Sequence, residues 1–353
     1  MGPGDTPDPF RAGCFINVIC HAGIFLTLDG AAPSYQITGT LETIGRWNAG
    51  GNEPVPANAH VWHDPARGEL CTLSYDVEQQ PYVMLRLIDA AGRIKRTVPI
   101  ELPGLPTMMH DFMVTEHNVA LCHGPVDFNW EAAMQGQSPL RWSDNERGSR
   151  YGVMPKDGDA VDIAWHETEP SFVFHFVNAF EQRDKVVFDG THHAWLDFGG
   201  TSDEPTPPPG LLHTEIDLET SRIDGHRWND KVCEFPRFDE RHDGLATRYM
   251  YSPTTVGEAT GFNGMMRVDA QNGETSTYGF GTYDSVGEPV FAPDPSSNAE
   301  DDGWVMAFVY DDASDNSHLV LWDAGAIEDG PTCRILMPRR IPEGLHVNWM
   351  PDP

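Results

Sequence analysis

Short β-like segments follow one another along the whole chain, separated by turns that contain Gly, Asp-Gly or Asn-Gly. Residues 15–20 and 24–28 flank such a turn, and the same rhythm continues from residues 70–75 to residues 333–337. Strands spaced in this way are typical of all-β proteins. Only residues 129–137 could form a short helix. The pattern leaves a sandwich, a barrel and a propeller open, and the length of 353 residues favours the propeller.

One of these segments, residues 171–181, carries a titratable group in the middle of an apolar strand, His175. A buried imidazole needs a partner for each ring nitrogen, and a lone histidine here is most simply a core residue bonded to the backbone. However, His60, His110 and His346 occupy similar β-like segments far apart in the sequence. This recurrence predicts that the four histidines hold one metal ion.

A set of imidazoles without thiolate or carboxylate ligands suits iron, copper, zinc or nickel. Four nitrogen ligands leave two positions open on an octahedral ion. Ligating histidines usually donate their other N–H to a carboxylate, which fixes the tautomer. Glu234 and Glu288 each lie beside apolar residues and proline, so they are the candidates for this role. A local salt bridge or a strand-end position is the alternative for each.

The composition narrows the class of function and the compartment. The 54 acidic and 23 basic residues give a net charge of −31, which disfavours nucleic acid and anionic lipid as partners. The six cysteines form no C-x-x-C pair and fit reduced thiols of a cytosolic protein. The start of the chain has no signal-peptide pattern, and no apolar run is long enough to span a bilayer. We therefore predict a cytoplasmic protein, with peripheral membrane contact left open.

Four segments then carry a resemblance to a known family. They are residues 58–70 (with Ala-His-Val-Trp), 109–115 (Met-His-Asp-Phe-Met-Val-Thr), 174–181 (Phe-His-Phe-Val-Asn-Ala-Phe-Glu) and 342–349 (Pro-Glu-Gly-Leu-His-Val-Asn-Trp). In this order they resemble the motifs of the carotenoid cleavage oxygenases, which include the isomerase of the retinal pigment epithelium and the lignostilbene dioxygenases. The likeness covers nearly the whole chain from about residue 14.

The resemblance implies a seven-bladed β-propeller, formed by residues 1–353 as a single domain, with a dome of loops over an axial metal site. His60, His110, His175 and His346 would hold Fe(II), and Glu234, Glu288 and Asp29 would orient them. The implied reaction is cleavage of a conjugated C=C bond of a carotenoid or apocarotenoid by O₂, which yields aldehyde or ketone products. The expected partners are a hydrophobic polyene and O₂, with no nucleic acid, and the chain is expected to be a monomer.

The chain departs from the family pattern at several positions. The usual N-terminal segment before residues 13–28 is not found, which predicts a propeller that is incomplete at this end. Asp29 stands where the family has glutamate, and Leu28 replaces the lysine of the lignostilbene-cleaving members. Leu28 therefore disfavours a phenolic stilbene as substrate. The alternatives are a lignostilbene-type dioxygenase, an isomerohydrolase that uses the same iron, or a catalytically impaired metal-binding propeller.

Overall fold

The computed structural model describes residues 14, 16–30, 32–64, 66–143, 148–198 and 202–350. The N-terminal residues 1–9, on which the absence of a signal peptide was judged, lie outside these ranges. The chain divides into a first unit, Met1–Leu102 with Met350–Pro353, and a second unit, Pro103–Trp349. The prediction that residues 1–353 form one domain stays a prediction. Among the described residues, no helix has the length and apolar character needed to cross a membrane.

The described part of the first unit contains eight strands, which are β1 (Asn17–His21), β2 (Ile24–Leu28), β3 (Tyr35–Ile37), β4 (Thr43–Arg46), β5 (Val61–Asp64), β6 (Glu69–Tyr75), β7 (Val83–Ile88) and β8 (Ile94–Ile100). They form two antiparallel sheets, each with its four strands in sequential order. The turn between β1 and β2 contains Ala22 and Gly23, both with positive φ. This backbone matches the right-handed twist of a two-residue hairpin.

In the second unit the structure describes one α-helix, α1 (Trp130–Met134), and strands β9 (Phe112–Val114), β10 (Asn118–His123), β11 (Val126–Phe128), β12 (Leu140–Trp142), β13 (Ser149–Pro155), β14 (Ala164–Thr168), β15 (Phe172–Gln182), β16 (Lys185–His193), β17 (Gly210–Asp217), β18 (Ile223–Arg227), β19 (Tyr249–Thr254), β20 (Gly264–Asp269), β21 (Thr275–Gly279), β22 (Ser285–Val286), β23 (Val290–Pro293), β24 (Gly303–Asp311), β25 (Asn316–Asp323) and β26 (Cys333–Leu336). Three short 3-10 turns, Ala160–Asp162, Glu240–His242 and Ile327–Asp329, complete the description. The helix begins where Oδ1 of Asn129 accepts the backbone N–H of Ala132, so the predicted short helix is confirmed.

Four antiparallel sheets of three to five strands make up most of the second unit. Their strand orders are β14-β13-β10-β9, β15-β16-β17-β18, β19-β20-β21 and β22-β24-β25-β26, and β23 also pairs with β24. β11 and β12 form a separate hairpin. Successive antiparallel sheets of this size are typical of propeller blades, so the all-β propeller is confirmed.

The prediction of seven blades was wrong, because the described residues form six blade-sized sheets over the two units. The sequence pattern shows where strands occur but not how they pair. Strands β11 and β12 pair only with each other, and β19–β21 form a sheet of three strands rather than four. The described strands therefore do not supply a seventh blade.

The last two sheets of the second unit share a buried aromatic core. Trp322 and Tyr251 are fully buried within it, and the ring of Tyr251 stacks on that of Phe291 with centroids 5.8 Å apart. Burial of each large side chain contributes roughly 1.5–3 kcal/mol, so this core holds the two sheets together. Both Glu234 and Glu288 lie in the chain segments that lead into or out of these sheets.

Candidate metal centre

Three of the four predicted ligands converge in the second unit. His110 lies just before β9, His175 lies within β15, and His346 lies beyond β26. The Nε2 atoms of His110 and His175 are 3.4 Å apart, and the possible ligand atoms of the three residues lie within 4.8 Å of one another. The rings of His175 and His346 have centroids 5.2 Å apart. Residues separated by up to 236 positions in the sequence thus meet around one point.

An irregularity in β15 accompanies the placement of His175. The pairing of β15 with β16 shifts register on both sides of Phe176. Oδ2 of the buried Asp111 accepts the backbone N–H of Phe176 at 2.8 Å, while its Oδ1 accepts the N–H of Phe112 at 2.7 Å. Because Asp111 follows His110 directly, one carboxylate ties together the two segments that carry these histidines. The sequence feature that could have indicated Asp111 is its position between a histidine and an apolar strand.

Glu234 orients His175. Nδ1 of His175 lies 2.5 Å from Oε2 of Glu234, and Oε1 of Glu234 accepts the hydroxyl of Thr191 at 2.7 Å. Nε2 of His193 is 2.9 Å from the same Oε1. Burial by itself raises the pKa of Glu234, but His175 and His193 outweigh it and hold the pKa well below its ordinary value. Glu234 is therefore a carboxylate, the form that accepts the imidazole N–H.

Glu288 holds His346 in the corresponding way. Its Oε1 lies 3.1 Å from Nδ1 of His346, and its Oε2 accepts the backbone N–H of Val347 at 2.7 Å. Arg237 lies 3.7 Å from Oε1 and also donates to the carbonyl of Val347 at 3.0 Å. Although burial raises the pKa of Glu288, Arg237 and His346 lower it below its ordinary value.

This donor set fits a transition-metal ion. When Glu234 and Glu288 take the Nδ1–H groups, the Nε2 atoms of His175 and His346 carry lone pairs. Burial and the neighbouring imidazoles of His175 and His346 lower the pKa of His110 well below its ordinary value, so the imidazole of His110 is neutral. Burial lowers the pKa of His175, but the charge and hydrogen bond of Glu234, together with the charges of Glu288 and Asp111, raise it above its ordinary value. The carboxylates around the converging imidazoles thus favour a positive charge at this site. A bound metal cation would provide that charge.

The comparisons with known proteins agree with this geometry. The sequence model of the family described as retinal pigment epithelial membrane protein matches residues 7–351.

The chain belongs to this family.

A carotenoid cleavage oxygenase of Mycobacterium tuberculosis is 29% identical over 95% of this chain and 76% of its own length. A chloroplastic 9-cis-epoxycarotenoid dioxygenase of Arabidopsis thaliana is 31% identical over 95% of this chain and 59% of its own length. Among solved structures, the lignostilbene dioxygenase of Pseudomonas brassicacearum superposes with a TM-score of 0.88 at 27% identity, covering 96% of this chain and 75% of that one. A cobalt-substituted apocarotenoid oxygenase of Synechocystis superposes with a TM-score of 0.84 at 25% identity, over 94% and 73% of the two chains. The predictions of the family and of an oxygenase enzyme are confirmed.

A mainly apolar cavity of about 600 Å³, called here the apolar cavity, lies in the second unit of this family member, and the chain neighbours of His346 line it. Glu288 and Val347 lie in its wall, and so do the apolar side chains of Phe235, Phe262, Phe308, Ile341 and Leu345. The ring of Phe235 packs against His175 with centroids 4.8 Å apart and against His346 at 6.0 Å. The volume is within the usual range for small-molecule sites, and the lining suits an apolar ligand.

Two predicted site residues belong to the first unit. His60 lies in the loop before β5 and is half-buried. Its neighbour Ala59 is anchored through its carbonyl, which accepts the side-chain N–H of Asn17 at 2.7 Å. Asp29 follows β2, and its charge adds to burial in raising the pKa of Tyr75 to about 12. The roles of His60 and Asp29 stay predictions.

His193 was missed from the sequence, where it is most simply a turn or surface residue. It is only 6% exposed, bonds to Glu234, and packs edge-to-face on Phe174 with centroids 5.1 Å apart. His192 and His193 are adjacent, so they point to opposite faces of β16. The register between β15 and β16 decides which of the two histidine side chains is directed towards the centre. This register shifts near His175.

Proposed function

We propose that the chain is an Fe(II)-dependent oxygenase that cleaves a conjugated C=C bond of a carotenoid or apocarotenoid with O₂. The observation that carries this proposal is the convergence of His110, His175 and His346, two of which pack against Phe235 of the apolar cavity. The names of the related enzymes support the same class of substrate. The products would be two carbonyl compounds.

We propose His60 as the fourth ligand, because its segment matches the family motif for the first ligand. Asp29 is proposed to orient a ligating histidine, in the place where the family has glutamate. Glu234 and Glu288 would hold His175 and His346 with Nε2 directed at the ion. All of these roles can be tested one residue at a time.

Bound iron would supply the activation of O₂, and the protein would supply positioning and exclusion of water. Phe235 lines the apolar cavity, and its ring packs against both His175 and His346. The apolar part of the wall would hold the polyene by burial of its surface, and Ser285, Tyr310, Ser317 and Glu343 in the same wall would be available to a polar end group. This arrangement suits a long hydrocarbon better than a polar substrate.

Similarity to a lignostilbene dioxygenase and to the isoeugenol monooxygenase of Pseudomonas nitroreducens supports a second candidate, a phenylpropenoid substrate. Position 28 argues against it. Leu28 is apolar and fully buried, so it offers no cation to a phenolate. We therefore place the carotenoid substrate first.

The test is reconstitution of the purified chain with Fe(II), followed by metal analysis and incubation with an apocarotenal or a lignostilbene under O₂. We expect about one iron per chain, as one set of imidazole ligands implies, and aldehyde products from the apocarotenal. His175→Ala should lose both iron and products, whereas His318→Ala, which alters a histidine of β25, should keep them. Consumption of the lignostilbene alone would favour the second candidate. Bound iron without turnover of either compound would contradict the proposed activity.

A further inference from the structure

Strand β16 carries two side chains that reach Glu234, the carboxylate that bonds to His175. Oε1 of Glu234 accepts the hydroxyl of Thr191 at 2.7 Å and lies 2.9 Å from Nε2 of His193. Residues two positions apart on a strand point to the same face of the sheet, so β16 presents Thr191 and His193 together. Thr191 is fully buried, and His193 is 6% exposed. Neither residue is among the predicted ligands or their carboxylate partners.

The surroundings of His193 determine which of its ring nitrogens carries a proton. Nε2 faces an oxygen of Glu234, whereas Nδ1 is buried and has no hydrogen-bond partner among the described residues. A ring with its only proton on Nδ1 would leave a buried N–H group without an acceptor and would place a second lone pair against the carboxylate. Nε2 therefore carries a proton, and His193 donates it to Glu234.

The two oxygens of Glu234 have separate donors. Thr191 and His193 donate to Oε1, whereas Oε2 lies 2.5 Å from Nδ1 of His175 and accepts the backbone N–H of Phe235 at 2.7 Å. Without the two donors of β16, Oε1 would be a buried carboxylate oxygen without a protein partner, which is costly. Thr191 and His193 thus fix the plane of the carboxylate and leave its other oxygen for His175.

Aromatic packing holds the ring of His193 in this position. The ring of Phe174 contacts it edge-to-face, with centroids 5.1 Å apart and an interplanar angle of 85°. The same ring of Phe174 contacts His110 edge-to-face, also at 5.1 Å. Such contacts depend on the relative orientation of the two rings, so Phe174 limits the rotation of the imidazole. The contact needs only an aromatic ring at position 193, whereas the hydrogen bond to Glu234 needs the imidazole.

We propose that Thr191 and His193 are positioning residues of the metal centre, which act through Glu234 to hold Nδ1 of His175 and so direct its Nε2 at the ion. Residues that orient a ligating histidine contribute to metal affinity although they do not touch the metal. This proposal rests on the proposed role of His175 as a ligand, but it does not depend on the turnover of any substrate.

The test is titration of the purified, metal-free full chain with Co(II), followed by the visible absorption spectrum of the bound ion and by competition with a chelator. The spectrum reports the coordination of the ion, which a loss of folding stability alone would not change. His193→Phe removes the donor and keeps an aromatic ring for Phe174, whereas His193→Gln keeps an N–H donor. Thr191→Val removes the hydroxyl at nearly constant volume. The matched control is His192→Phe, the same exchange at a neighbour whose side chain points to the opposite face of β16.

We expect His193→Phe and Thr191→Val each to weaken Co(II) binding by about tenfold, the lower end of the loss typical of residues that support metal ligands. His193→Phe should also change the absorption spectrum. His193→Gln should restore the affinity and the spectrum towards those of the wild type, and His192→Phe should match the wild type in both.

Wild-type affinity and spectrum in both His193→Phe and Thr191→Val would overturn the proposal, and so would an equal loss in His192→Phe. An equal change in His193→Phe and His193→Gln would assign the effect to packing and contradict the role of the donor. If His193→Phe does not fold, the comparison of Thr191→Val with His192→Phe decides. Absence of Co(II) binding by the wild type would refute the metal centre and this proposal with it, whereas failure to cleave a polyene would leave the Co(II) result unaffected.

Discussion

Replacement of Glu234 by glutamine tests whether the carboxylate that orients His175 sets the affinity of the metal centre. Glu234 accepts four hydrogen bonds, from the side chains of His175, His193 and Thr191 and from the backbone N–H of Phe235. Glutamine keeps one oxygen and presents an NH₂ group in place of the other. Two of the four groups that donate to Glu234 would then face this NH₂ group, which is itself a hydrogen-bond donor.

The expected magnitude follows from these contacts. Each buried donor left without an acceptor costs about 1–3 kcal/mol, so Glu234→Gln should lower the free energy of unfolding by about 2–6 kcal/mol. Loss of the partner that orients a metal-binding histidine typically lowers metal affinity by about 10–100-fold. We therefore expect both effects in Glu234→Gln.

The assay is competition between the purified protein and a chelator for Fe(II) or Co(II), together with urea unfolding of the metal-free protein. Glu181→Gln is the matched control, because Glu181 also accepts four hydrogen bonds, from Thr115, from Asn118 and twice from His117. Glu181→Gln should lose stability but keep the metal affinity of the wild type. Unchanged affinity in Glu234→Gln, or an equal loss of affinity in both variants, would refute the reasoning.

Three further predictions concern the strands around the centre. Asp111→Asn places an NH₂ group against one of the two backbone N–H groups that Asp111 accepts. Chelator competition should show about 10–100-fold weaker metal binding. Unchanged affinity would contradict the role of Asp111 in tying together the segments of His110 and His175. Gly190→Ala puts a Cβ atom 2.9 Å from Cγ1 of Val173 and 3.2 Å from the carbonyl of His175, so urea unfolding should show a loss of about 1–3 kcal/mol; an unchanged midpoint would contradict this packing. Burial raises the pKa of Glu181, but hydrogen bonds from Thr115 and His117 lower it more, from 4.5 to about 2. The folded-state pKa is thus below the unfolded value, and the stability difference between wild type and Glu181→Gln should be constant above about pH 5 and shrink as the pH falls towards 2; a difference that grows on acidification would contradict the assignment.

The sequence could predict the class of fold and the burial of several site candidates, because both depend on local signals. The segment that contains His175 has the composition of a buried strand, and β15 covers nearly the same residues. The positions of Glu234 and Glu288 next to apolar residues and proline also indicated burial, and both are less than 10% exposed. These signals need no knowledge of which strands pair.

The number of blades and the partners of Glu234 could not be predicted in the same way, because they depend on pairing and register. A strand pattern does not show that β11 and β12 stand apart from the larger sheets. Similarly, the alternation along β16 does not show whether His192 or His193 faces Glu234, since the neighbouring β15 shifts register. Both shortcomings have one cause, which is that contacts between strands are not encoded within a single strand.

The charges around the three histidines explain why acidic residues in apolar segments were informative. Asp111, Glu234 and Glu288 are buried carboxylates in the second unit, and Arg237 is a partly buried guanidinium near Glu288. Buried carboxylates are costly unless hydrogen bonds and positive charge compensate them. Here the carboxylates outnumber the guanidinium, the neutral His110 adds no positive charge, and the raised pKa of His175 reflects the same excess of negative charge. A cation among the imidazoles would offset this excess of negative charge, so the carboxylates that bond to His175 and His346 would also favour an ion over a neutral molecule at the proposed metal centre.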